Sequence, residues 1–145
     1  MNPLTLFRRS ALLLLLAAVS LTACKKENDP APAADLATRV AGHYNLAQLS
    51  VSGKTYAVGE TQLTGSSTIA RETATTVSIQ VDIIQRSSNE SFLSGTIDDI
   101  TVSETGNGDV DFRKDGEQIA YTKKGKLMIE TSDAKDVPFT LILAK

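Results

Sequence analysis

Thr76-Val77-Ser78-Ile79-Gln80-Val81-Asp82-Ile83-Ile84-Gln85 decides the fold of this chain. Val77, Ile79, Val81 and Ile83 alternate with Ser78, Gln80 and Asp82, and a period of two places the four aliphatic side chains on one face of a strand. One face is buried and the other is wet, the signature of an antiparallel sheet. Burying each of the four contributes about 1.5–3 kcal/mol before conformational entropy is subtracted. Ser67 to Arg71 forms the preceding strand and Glu72-Thr73-Ala74-Thr75 the connection, so the pair reads as a hairpin.

The pattern continues downstream. Ser91 to Ile97 and Ile100 to Ser103 read as two strands of opposite apolar phase, with Asp98-Asp99 as an acidic turn or bulge between them. After the Gly106-Asn107-Gly108 loop, Val110 and Phe112 mark the inward face of the next strand. Asp115-Gly116 is a hairpin signal, because two-residue primed turns need positive φ at both central positions. It leads into Gln118 to Tyr121, with Ile119 and Tyr121 expected inside. Lys124-Gly125 then turns the chain into Lys126 to Glu130, Thr131 to Asp136 loops over, and Val137 to Leu143 carries Phe139, Leu141 and Leu143 on one face.

Upstream, Asp35 caps a short helical turn, Leu36-Ala37-Thr38-Arg39-Val40, that ends at Gly42. Tyr44 and Leu46 share one strand face, whereas Leu49 and Val51 fall on the opposite phase. One extra residue near Ala47-Gln48, a β-bulge, reconciles them. Ser52-Gly53-Lys54 turns into a short strand, Thr55 to Val58. The count is eight or nine short antiparallel strands about ten residues apart. The fold class is therefore all-β, a small up-and-down β-barrel of about eight strands or a two-sheet sandwich. Closure of the apolar last strand against Tyr44 to Leu46 removes an exposed edge and favours the barrel.

Val40-Ala41-Gly42-His43-Tyr44-Asn45-Leu46 after a short helical turn, followed by a hairpin meander and an apolar final strand, resembles the lipocalin-like small lipoproteins of Bacteroidota-type bacteria. The likeness runs from about Leu36 to Lys145. In lipocalins the opening reads Gly-x-Trp, with the indole plugging the barrel floor, and Tyr44 stands here where that Trp is expected. The resemblance implies a barrel that holds a small apolar ligand.

The amino terminus carries a second resemblance. Arg8-Arg9 precede the eleven-residue apolar run Ala11 to Leu21, and Leu21-Thr22-Ala23-Cys24 resembles a bacterial lipobox. As a helix the run spans only ~16 Å, about half of a bilayer core. The resemblance implies a signal peptide over 1–23, cleavage before Cys24, and a lipid anchor (diacylglycerol, with palmitate-type acyl chains) on its sulfur. Two acyl chains suffice for stable anchoring, at ~0.8 kcal/mol per buried methylene. Residues 24–35 read as a flexible tether. Its Lys25-Lys26-Glu27-Asn28-Asp29 run is similar to tethers of surface-displayed lipoproteins, and its Pro30-Ala31-Pro32 run favours extended geometry. The expected location is the outer membrane, lipid-anchored on the periplasmic face or at the cell surface, with the barrel domain over 36–145.

Composition limits the chemistry. Without Arg8 and Arg9 the 15 bases fall to 13 against 17 acids, a formal charge of −4, which argues against nucleic-acid binding. Lys123, Lys124 and Lys126 form the one basic cluster of the domain and read as a solvated hairpin end. Cys24 is the sole cysteine and His43 the sole histidine, and no Gly-x-Ser-x-Gly elbow exists. Asp98-Asp99 read as turn residues, and Asp109 with Asp111 as strand alternation without the spacing of a calcium loop. No enzyme, metal or cofactor is expected.

Two readings of the domain remain. Tyr44, Val77, Ile79, Val81, Phe92, Phe112, Tyr121 and Phe139 are expected to face the interior, where they either line a pocket for a small apolar ligand or fill a dry core. Filling is the simpler. In that case the protein is a structural or interaction protein of the envelope, offering loops or a strand edge to a protein partner.

Overall fold

The computed structural model of the chain describes residues 34–133 and 135–145. The expected signal peptide, Cys24 and the expected tether up to residue 33 lie outside the described residues. Among the described residues one helix, α1 (Leu36–Val40), precedes nine strands: β1 (Gly42–Val51), β2 (Lys54–Ala57), β3 (Leu63–Arg71), β4 (Thr76–Gln85), β5 (Ser91–Glu104), β6 (Val110–Lys114), β7 (Glu117–Lys123), β8 (Lys126–Ser132) and β9 (Pro138–Ala144). A 3-10 turn, Val58–Glu60, joins β2 to β3. Neighbours along the chain pair in order from β3 to β9, and β9 pairs with β1. All strands but β2 therefore form a closed eight-stranded antiparallel barrel, and the sandwich alternative is set aside.

Closure depends on a phase change in β1. Leu46 lies opposite Leu143, but Gln48 lies opposite Ile142, so Ala47 is an extra residue. The bulge returns Leu49 and Val51 to the interior, as the sequence demands. β1 also divides its other edge: Gly42 to Asn45 pair with β3, and Gln48 to Val51 with β2. β2 is thus a flap against the lower half of β1.

Three hairpin turns carry paired positive φ values, Ser52-Gly53 (49° and 77°), Asp115-Gly116 (52° and 88°) and Lys124-Gly125 (52° and 76°). These are the primed turns whose twist matches that of the flanking strands. Gly65 serves a different purpose. Its φ is +145°, and a Cβ there would sit 2.1 Å from the carbonyl oxygen of Asp82, so β3 and β4 approach too closely for a side chain.

Two sequence expectations are corrected by bulges. Ser91 to Ile97 and Ile100 to Ser103 are one strand, β5, and of the two readings of Asp98-Asp99 the bulge holds: the two residues stand against Ser78 alone between the Ile79–Ile97 and Val77–Ile100 pairs, one residue in excess, with Asp99 at φ 55°. In β7 the pairing passes from Phe112–Ala120 to Arg113–Gln118, leaving Ile119 extra. Ile119 and Ala120 both pack inward, and Tyr121, opposite Asp111 and Met128, lies on the outer face.

α1 stoppers one end of the barrel. Asp35 caps it, accepting from the Thr38 amide at 2.8 Å, and the same carboxylate takes the Arg71 guanidinium at 2.8 Å. Arg39 reaches Glu104 at 3.2 Å, so ion pairs tie the helix to β3 and β5. Ala37 and Val40 are buried in the core. Tyr44 lies beneath them, also buried, with Lys145 Nζ 5.2 Å over its ring. The core side chains run from Ala37 to Leu143 and the sheet closes on itself, so residues 33–145 are a self-contained folding unit.

Candidate functional site

The inner face divides into a filled half and an open half. Near α1, the Tyr44, Val77, Ile100, Phe112, Leu127 and Leu143 side chains are buried and in mutual contact. Away from α1 lies a cavity of about 320 Å³, walled by Ile79 and Val81 of β4, Leu93 to Ile97 of β5, Ile119 and Ala120 of β7, and Ile129 to Thr131 of β8. Its size is near the low end of the ~300–1,000 Å³ typical of small-molecule sites.

Strand lengths create this cavity. β5 has fourteen residues and β6 only five, so β6 pairs with β5 along Thr101 to Glu104 and no further. β8 pairs with β7 only from Lys126 to Ile129. Between the lower halves of β5 and β8 the wall is notched, and the interior opens sideways. Ile97 shows the consequence: it lies opposite the inward Ile79, yet 45 % of it is exposed.

At the lower rim a fourth bulge leaves Phe92 extra, since Ile83 pairs with Leu93 and Ile84 with Ser91. Phe92 thereby packs against Phe139, ring centroids 5.5 Å apart. Ser67, opposite Val81 beside the cavity floor, is 1 % exposed, and its hydroxyl has no hydrogen-bond partner among the described residues.

Of the eight side chains expected to line a pocket, Ile79 and Val81 form the cavity wall. Tyr44, Val77 and Phe112 belong to the filled half, Phe92 and Phe139 close the rim, and Tyr121 is outside. Ile119, expected inside, also lines the cavity, whereas sequence reasoning missed Leu93, Gly95, Ile97 and Ile129, because their role comes from unequal strand lengths and not from local pattern.

The other polar candidates have structural partners. His43 is exposed, with Nδ1 3.2 Å from Thr68 Oγ1. Asp109 accepts from the Lys124 amide at 3.1 Å, and Asp111 from Gln118 Nε2 at 3.0 Å, so both brace turns. Lys123, Lys124 and Lys126 surround the β7–β8 turn at the α1 end. Burial raises the pKa of the Tyr44 phenol, and burial together with the neighbouring Glu130 carboxylate raises that of Tyr121. Neither faces the cavity.

Comparison with protein-family models, curated proteins and solved structures returns no match for this chain.

Proposed function

We propose that the chain is a lipid-anchored lipoprotein of the cell envelope whose barrel takes a small apolar guest through the notch between β5 and β8. The observation that carries this reading is the aliphatic cavity itself, open to solvent beside an inward-facing isoleucine that stays 45 % exposed. A cavity walled by isoleucine, valine and leucine favours an apolar occupant, at roughly 25 cal/mol per Å² withdrawn from water. Glu130 is the one charged residue of its wall, and it is exposed. The anchor at Cys24 and the outer-membrane location rest on the lipobox-like Leu21-Thr22-Ala23-Cys24. In this reading the protein binds and does not catalyse.

Titration of residues 33–145 with dansyl-decylamide tests the proposal. Saturable binding with blue-shifted emission is expected, and it should be lost in Ile129→Asp while the far-ultraviolet spectrum of the variant stays that of a folded barrel. Absence of saturable binding to the parent segment counts against the guest reading.

A further inference from the structure

The notch lies where the pairing of β6 with β5 and of β7 with β8 stops short. Alternate N–H and C=O groups of β5 between Ser91 and Asp98 face it with no strand beside them among the described residues. Across the gap, Glu130 to Ser132 of β8 pair with β9 alone. Unpaired edge groups are a template for another extended chain. Edges that must stay free usually carry lysine, proline or an inward charge. Ser91-Phe92-Leu93-Ser94-Gly95-Thr96-Ile97 carries none of these.

Side-chain phase adds a second argument. Leu93, Gly95 and Ile97 lie opposite the inward Ile83, Val81 and Ile79, so they face the interior at alternate positions. A strand laid on this edge would send its own alternate side chains into the same cavity. Gly95 leaves room for them, since nothing lies within 4 Å of where its Cβ would be.

Charge selects the occupant. Glu90 stands at one end of the free edge, Asp98 and Asp99 at the other, and Glu117 and Glu130 lie nearby, all exposed. Lys114, at the tip of the β6–β7 hairpin, is engaged by the Asp98 carbonyl at 2.8 Å and by Asp99 at 3.9 Å. A second copy of the chain fits poorly, because antiparallel self-pairing centred on Ser94 sets Glu90 against Asp98 at both ends, and like charges directly opposite destabilise a sheet.

We propose that the notch is a strand-addition site for an extended peptide with aliphatic side chains at alternate positions and basic residues at its ends. This rests on the cavity being the binding site and names what presents the apolar guest. Main-chain hydrogen bonds to β5 supply the affinity, the cavity selects the side chains, and the acidic ends set direction and rate of encounter.

The test titrates fluorescently labelled KVTVTVTK, acetylated and amidated, against the full chain in phosphatidylcholine nanodiscs, with amide hydrogen exchange as a second readout. Saturable binding is expected, with slowed exchange confined to Ser91 to Asp98 and the facing edge of β8. N-methylating the valines in one peptide and the threonines in another leaves the side chains in place but removes alternate donors. One of the two should bind more than roughly tenfold more weakly, and replacing both terminal lysines by glutamate should cost about tenfold. Equal binding of both N-methylated peptides, unchanged exchange in β5, or β5 protection arising from a concentration-dependent dimer of the chain would overturn the proposal. If dansyl-decylamide binds and the peptide does not, strand addition is wrong and the guest reading stands. If neither binds, both fall.

Discussion

The Tyr44 hydroxyl donates to the carbonyl of Val40 at 2.7 Å, inside the barrel and under the last turn of α1. The phenol does two things at once: its ring fills the end of the core, and its oxygen satisfies a carbonyl that the end of the helix leaves without an intrahelical partner. Tyr44→Phe keeps the ring and removes the donor. It should lower stability by about 1–2 kcal/mol in urea denaturation, the cost of leaving a buried acceptor unpaired. An unchanged midpoint would mean that water reaches Val40 and the stopper is loose.

Gly65→Ala should be among the most damaging single-atom changes in the domain. Its Cβ would fall 2.1 Å from the Asp82 carbonyl oxygen, at a φ that L-residues avoid. A loss of about 2–4 kcal/mol is expected from strain and overpacking together. Thermal unfolding of this variant beside Gly95→Ala, which has open space, separates the local clash from a general intolerance of alanine.

Gly95→Val tests the cavity from within. The position is inward, opposite Val81, and no atom lies within 4 Å of the place a Cβ would take. Stability should rise by about 0.5–1 kcal/mol, since valine suits a strand better than glycine. Affinity for dansyl-decylamide should fall at least about tenfold. Full affinity in a stabilised variant places the guest elsewhere.

Asp35 links α1 to acid stability. Its hydrogen bond with Arg71, and those from Thr38, hold its pKa well below the ordinary 3.8. A carboxylate depressed on folding contributes stability that is complete above the unfolded pKa and lost as pH falls through it toward the folded value. Asp35→Asn keeps a capping side chain but no charge. The gap in urea midpoint between parent and variant should be full at about pH 6 and shrink toward about pH 2. A gap that stays constant over that range would assign the stabilisation to the cap alone.

Cys24→Ala should move the protein from the membrane to the soluble fraction of cells. Retention of the variant in membranes that withstand a carbonate wash would remove the lipoprotein reading while leaving the barrel untouched.

Much of the barrel is written locally. The alternation of Val77 to Ile83, the Asp115-Gly116 and Lys124-Gly125 turns and the phase break at Ala47 each follow from a few neighbouring residues, and each is present in the fold. What local pattern hides is the effect of a single extra residue in the middle of a strand. Ile119 and Tyr121 look alternate, yet pairing with β6 makes Ile119 the bulge and turns Tyr121 outward. Asp98-Asp99 read locally as a turn or a bulge, and only pairing with β4 decides for the bulge, so that β5 runs through it without ending. The notch is less legible still, because it arises from comparing the length of β5 with that of β6, two segments that are each ordinary alone.

The ring is closed by strands at opposite ends of the domain, Asn45 meeting Ala144 and Val51 meeting Phe139. Roughly a hundred residues must be gathered before that seam forms any hydrogen bond, which makes closure a late and slow event in folding. Until then β1 and β9 are both open edges, and β9 is the more apolar of the two. A chain of this design is therefore at greatest risk of misassembly while it is incomplete, and it has reason to be kept unfolded by other factors until its final strand is delivered.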